Sequence, residues 1–172
     1  MLLLEGSQVP AEGILSELIL IHTLLREDLA SCRELAQQVT NGADVEHVKV
    51  AVGDLQSASP LWQLRINCLR HCFFVHGHHN AEDAHIFPAV RAADPEQMNP
   101  VVDKLEADHR KVSALLDEVE ASAQQLTEGD GPSRPALAEA LRRLSEHLLE
   151  HLDYEEKALA PVLSQWTAWP DF

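Results

Sequence analysis

The chain has 172 residues, enough for one domain with a sizeable core. Hydrophobic residues make up 45%, but only 5% are aromatic and seven are glycine, which argues against a β-sandwich or barrel. A net charge of −15 makes nucleic acid and anionic membranes poor partners.

Four long helices are predicted. The first runs roughly 11–40 and stops at Asn41-Gly42, a C-terminal signal. Its stripe is Leu15, Leu18, His22, Leu25 and Leu29, in steps of three and four, the inward seam of a bundle helix. His22 stands where leucine is expected. Residues 43–59 read equally as a short helix or a structured connection. Ser59-Pro60 is a start signal, with proline in the first turn. The second long helix spans roughly 60–92 and ends before "DPEQMNP". The third spans about 96–128, with Val102, Leu105, His109, Val112, Leu116 and Val119 at three-four spacing, so a histidine again replaces an apolar seam residue. "EGDGPSRP" at 128–135 is a polar loop. The fourth helix covers about 135–166, and the tail "TAWPDF" is expected to pack loosely. Short connections between long amphipathic helices imply an antiparallel up-down four-helix bundle, one domain over 1–172 with its core at about 12–164.

A repeat runs through this frame. His78, Glu82, Asp83, Ile86 and Pro88 have the same offsets as His151, Glu155, Glu156, Leu159 and Pro161. The shared pattern is H-x-x-x-E-[DE]-x-x-[IL]-x-P. Each copy follows a helix with one seam histidine, His22 in the first half and His109 in the second. Spacing of four puts His and Glu one turn apart on one helix face. At about 100° per residue, with His78 at zero, the apolar centre of the second helix falls near about 40°, beside His78 and Glu82. His79 at about 100°, His76 at about 160° and Asp83 at about 140° then read as boundary or surface groups. The same wheel on the fourth helix puts Glu155 at the seam, Glu156 away from it, and His147 at its edge.

A single buried histidine is more often a satisfied core residue than a ligand, and one His-x-x-x-Glu is a weak signal. The joint set differs. Four imidazoles and two carboxylates in one seam carry a large desolvation cost unless a cation offsets it. Imidazole with carboxylate suits Fe, Mn or Zn, and six ligands from four helices suit two ions bridged by the carboxylates. His71 and His85 face broadly inward about two turns from His78 and fit structural or gating roles. His47, with no partner motif, reads as surface. Cys32, Cys68 and Cys72 form no C-x-x-C pair and read as core or interface thiols. The start, "MLLLEGSQVP", lacks the basic flank and apolar length of a signal peptide, and no run approaches the ~18 apolar residues of a membrane span. A reduced cytoplasm is the expectation.

The ordered set H…HxxxE…H…HxxxE, with endings "EDAHIFP" and "EEKALAP", resembles the hemerythrin-like (HHE cation-binding) family over roughly residues 12–164. The resemblance implies two iron ions, bridged by two carboxylates and an oxo or hydroxo group, with His22, His78, Glu82, His109, His151 and Glu155 as ligands. Oxygen-carrying members have a second histidine four residues after that of the third helix, where this chain has Ser113. That tells against reversible oxygen carriage unless His147 or His79 supplies a fifth imidazole. The expected function is binding of, or reaction with, O2, peroxide or nitric oxide in oxidative or nitrosative stress. The alternatives are an iron sensor or store and a metal-free interaction bundle. The expected assembly is a monomer or homodimer.

Overall fold

The computed structural model of the protein describes residues 13–41, 60–126 and 132–170. Among them the chain is all helical, with no strand. Helix α1 is Ile14–Thr40 and α2 is Pro60–Ala81. The latter runs without a break through a π-helical turn, Glu82–Ile86, into α3, Phe87–Ala93. Helix α4 is Pro95–Gln124 and α5 is Ser133–Leu163. The four expected rods are therefore present, close to their expected bounds. The ambiguous stretch 43–59, with His47, and residues 128–131 of the loop lie outside the described residues, while the fourth rod already begins at Ser133.

Local chemistry sets several of these ends. Pro60 opens α2, where its missing N–H costs nothing. Asp94 caps α4 by accepting a hydrogen bond from the Gln97 N–H at 3.2 Å, with Pro95 in the first turn. In the π turn the Phe87 N–H bonds the Glu82 carbonyl, a span of five residues. Pro88 removes one donor there, yet Pro161 holds the same place in the second copy without a π turn, so the proline alone does not produce it.

Contacts between the rods run in opposite number order. From α1 to α5 they are His22–Glu156, Arg26–Asp153 and Arg33–Ser145. From α1 to α2 they are His22–His78 and Asp28–Arg70. Cys72–Leu116, Asp83–His109 and Arg91–Asp103 join the second rod to α4. Glu118–Arg143 and Asp108–His151 join α4 to α5.

The apolar interior is in two clusters. The larger contains Leu25, Leu29, Val75, Val112, Leu116, Leu148 and Leu152; the smaller contains Leu18, Ile86, Phe87, Leu105 and Leu159. On every rod the histidines and glutamates of the repeat lie between the two: His22 between Leu18 and Leu25, His109 between Leu105 and Val112, Glu155 between Leu152 and Leu159. Leu116 is fully buried in the larger cluster. Leu116→Ala is expected to cost about 2–5 kcal/mol in denaturant unfolding. The three cysteines are buried free thiols, as expected of core residues. The tail departs from expectation. Trp166 and Trp169 pack on the smaller cluster, and Trp169 Nε1 donates to Glu17 Oε2 at 2.6 Å, so apolar burial holds it down.

Candidate metal centre

The layer between the two clusters collects buried titratable groups from all four rods. His22, His109, His151, Glu82 and Glu155 are each at most 4% exposed. Two sets of side chains each bring one ligand atom per residue to within 4.8 Å of all the others. One is His22, His78, Glu82 and Glu155; the other is His79, His109 and His151. All six residues expected from sequence are in these two sets.

The distances fit shared ions. His22 Nε2 and His78 Nε2 are 3.0 Å apart, and His78 Nε2 is 3.1 Å from Glu82 Oε1. Bond lengths of about 2.1 Å at right angles put neighbouring ligand atoms about 3.0 Å apart. The two oxygens of Glu82 face different sets: Oε1 toward His78, Oε2 toward His109 Nε2 at 3.4 Å. Glu155 Oε2 lies between the sets, 3.6 Å from His22 Nε2 and 3.5 Å from His151 Nε2. Both oxygens of Glu82 and Glu155, and the Nε2 atoms of His79, His109 and His151, are buried with no hydrogen-bond partner. Orphaned donors and acceptors of this kind cost free energy singly. Converging from four rods, they make a donor set for cations.

Burial shapes the protonation of the set. It lowers His22 to about 2, helped by His78, and His109 to about 3, helped by His151. It lowers His78 and His151 to about 4 each, and holds His79 well below the usual range. Neutral imidazole is the form that binds a metal. Burial, with Glu155 close by, drives the Glu82 carboxyl well above the carboxylate range, and burial pushes Glu155 up to about 8. Two carboxylates in a dry site are disfavoured without a counter-cation.

A crossed outer shell holds the imidazoles. His22 Nδ1 donates to Glu156 at 2.9 Å, and His109 Nδ1 donates to Asp83 at 2.8 Å. Asp83 and Glu156 are equivalent residues of the repeat, and each serves the lone histidine of the other half. With the proton on Nδ1, Nε2 keeps its lone pair for a metal. Arg26 braces Glu156 and Asp153, both at 2.7 Å. Asp83 and Glu156 are therefore not idle surface acids. Asp83→Asn is expected to weaken metal binding about 10–100-fold while the helices persist, read by metal titration and circular dichroism.

His79 corrects the sequence reading. Placed on the boundary by the helical wheel, it is 5% exposed and stacks on His109, with ring centroids 3.9 Å apart and planes at 10°. Glu82, not His78, marks the centre of the metal-facing side, and His78 and His79 flank it. The doubled histidine before Glu82 was the available signal. His147 is half-buried beside Lys111 and Glu150 and belongs to neither set. His71 is fully buried with its Nδ1 3.3 Å from Asp28, outside both sets. A further cluster, His76, Asp117 and Glu120, is partly exposed and separate from this layer.

Comparison with curated proteins gives no match, and comparison with solved structures gives none. A family model described as the hemerythrin HHE cation binding domain matches residues 13–163. That span takes in all four rods and every residue of both ligand sets, and the chain belongs to the hemerythrin HHE cation-binding family.

Proposed function

We propose that the chain is a single antiparallel up-down four-helix bundle that holds two iron ions and binds or reacts with O2, peroxide or nitric oxide, in oxidative or nitrosative stress. The observation that carries the two-ion reading is Glu82, whose oxygens face different imidazole sets. In this reading His22 and His78 would hold one ion, His79, His109 and His151 would hold the other, and Glu82 and Glu155 would serve both. The opposed order of contacts along the rods supports the antiparallel arrangement.

When bound, the pair of ions supplies Lewis acidity and reversible electron transfer to a small ligand. The protein's own residues do the rest. Leu18, Leu25, Leu105 and Val112 close the layer above and below and exclude water. Glu156 and Asp83 hold protons at His22 Nδ1 and His109 Nδ1 and so fix both rings. Two imidazoles on one side against three on the other leave the His22/His78 side with room for an incoming ligand. Buried free thiols fit a reduced compartment such as the cytoplasm, and no helix of the described residues is long and apolar enough to cross a membrane.

The buried charge set also favours a second reading, a non-enzymatic iron sensor or store whose bundle firms up on loading. Metal analysis is expected to find about two irons per chain. Anaerobic iron loading, then O2, peroxide or NO in turn, is expected to change the near-ultraviolet charge-transfer absorption. A single zinc with no iron overturns the proposal. A large iron-dependent stabilisation without reaction with any of the three selects the sensor or store.

A further inference from the structure

The two halves of the repeat differ at one place beside the ligands. The residue before the lone histidine is Ile21 in the first half and Asp108 in the second. Ile21 lies with His78 along a groove between α1 and α2. Asp108 lies with His151 along a pocket of about 80 Å³ between α4 and α5, whose lining includes Lys104, His147 and Glu150. The repeat therefore sets an apolar side chain near one His-x-x-x-Glu histidine and a carboxylate near the other.

His151 has a donor or acceptor unmet on that side. It is 2% exposed, and its Nε2 turns toward Glu155 Oε2, 3.5 Å away. Its Nδ1, on the other edge of the ring, is buried with no hydrogen-bond partner. Asp108 Oδ2 is 3.8 Å from that nitrogen. This is too long for a direct bond, but two bonds of about 2.8 Å span it through one water, meeting at close to a right angle. A water takes up about 30 Å³ in the liquid and needs roughly two to four polar partners when buried, so the pocket has both the room and the lining.

We propose that Asp108 is a positioning residue: His151 Nδ1–H donates to a water in this pocket, the water donates to Asp108, and the ring is held with Nε2 toward the metal layer. Glu156 and Asp83 do the same directly for His22 and His109, at 2.9 Å and 2.8 Å. The device thus reaches a third imidazole. A carboxylate behind an imidazole raises its basicity as a ligand. The three-imidazole side gains this at both His109 and His151. The other side gains it at His22, while His78 has Ile21 at the matching position. The two ions are therefore held unequally, with the His79/His109/His151 side filling first. That consequence rests on the metal reading; the bond at His151 Nδ1 does not. Lys104 Nζ pairs with the same Asp108 Oδ2 at 2.5 Å, and a purely structural Asp108 would act through that pair instead.

The test uses the full chain in two measurements. With nitrogen-labelled histidine and zinc as a diamagnetic probe, imidazole NMR reads the solvent exchange of the His151 Nδ1 proton. Stepwise iron titration reads the two affinities. Asp108→Asn keeps the size and loses the charge. It is expected to speed that exchange about 10-fold or more and to weaken the first iron step about 10-fold, with the second unchanged. Asp108→Glu is long enough to reach Nδ1 without the water and should restore both. Lys104→Met should leave both as in the parent. An exchange rate unchanged in Asp108→Asn, or raised as much by Lys104→Met, overturns the proposal. A chain that takes up no iron, yet keeps a His151 proton that depends on Asp108, overturns the iron reading and upholds the brace.

Discussion

Glu82→Gln is expected to strip the protein of one iron, or to weaken the pair by more than about a hundred-fold, while far-ultraviolet circular dichroism keeps its helical form. The side chain keeps its size and loses its charge. Its oxygens face His78 on one side and His109 on the other, so the loss falls on both imidazole sets at once. An amide can offer one oxygen to one cation and bridges two poorly. The metal-free fold should not suffer. Burial already disfavours the charged Glu82 carboxylate, and an uncharged isostere removes that cost. The contrast with Asp83→Asn is informative, because Asp83 acts only through His109. Metal titration of the two variants side by side ranks them. If Glu82→Gln binds two irons as tightly as the parent, the bridging assignment is wrong.

Removing the metal with a chelator is expected to lower the thermal midpoint, and more at pH 8 than at pH 6.5. The sign follows from the buried groups. The histidines of the layer have folded-state values pushed down by burial, to about 2 for His22, about 3 for His109 and about 4 for His78 and His151. Their contribution is complete above the unfolded value of about 6.5 and is lost as pH falls toward those lowered values. Glu155 is pushed up to about 8 and Glu82 well above its ordinary range, both first by burial. Their contribution is complete below about 4.5 and is lost as pH rises through 8. Each proton exchanged contributes a slope of about 1.4 kcal/mol per pH unit. More histidines than glutamates are involved, so the metal-free chain should be most stable near about pH 6.5 and weaken on both sides. Bound cations offset the carboxylate charge and remove the alkaline loss. Thermal unfolding from pH 5 to 8.5, with and without chelator, checks this; a metal-free curve still rising at pH 8.5 contradicts it.

The sequence was legible where one-dimensional spacing maps directly onto the fold. The three-four steps through His22 and His109 marked two rods and their inward sides. The duplicated His-x-x-x-Glu marked the other two and the layer they share. Pro60, Asn41 and Asp94 announced ends, the last two held by the Asn41 N–H on the Gln37 carbonyl and by the Gln97 N–H on the Asp94 side chain. His79 was named only as an alternative fifth imidazole, because a wheel zeroed on His78 puts it on the boundary of the apolar seam. The direction that matters is set by Glu82 and by the facing rods, and two adjacent histidines can straddle it. The roles of Asp83 and Glu156 were missed for a related reason. Both lie about 100° from their glutamate neighbours, which is outward for the helix alone but within reach of His109 and His22 on adjacent rods. Helix phase carries no information about what the next rod brings to meet a side chain. The π turn at Glu82–Ile86 has no sequence signal that separates it from the matching α-helical stretch around Pro161.

The position of the polar layer has a consequence for how the molecule comes apart. It divides the interior into a large apolar block and a smaller one, with few apolar contacts bridging them at that level. Cations in the layer would weld the blocks into one cooperative unit. Without them the layer is a fault line. Native-state hydrogen exchange on chelated protein should then resolve two opening units: amides around Leu105 and Leu159 exchanging ahead of those around Leu116 and Leu144. Iron loss and the loosening of the smaller block would be a single event, which makes that end of the bundle the natural gate for loading and unloading the metal.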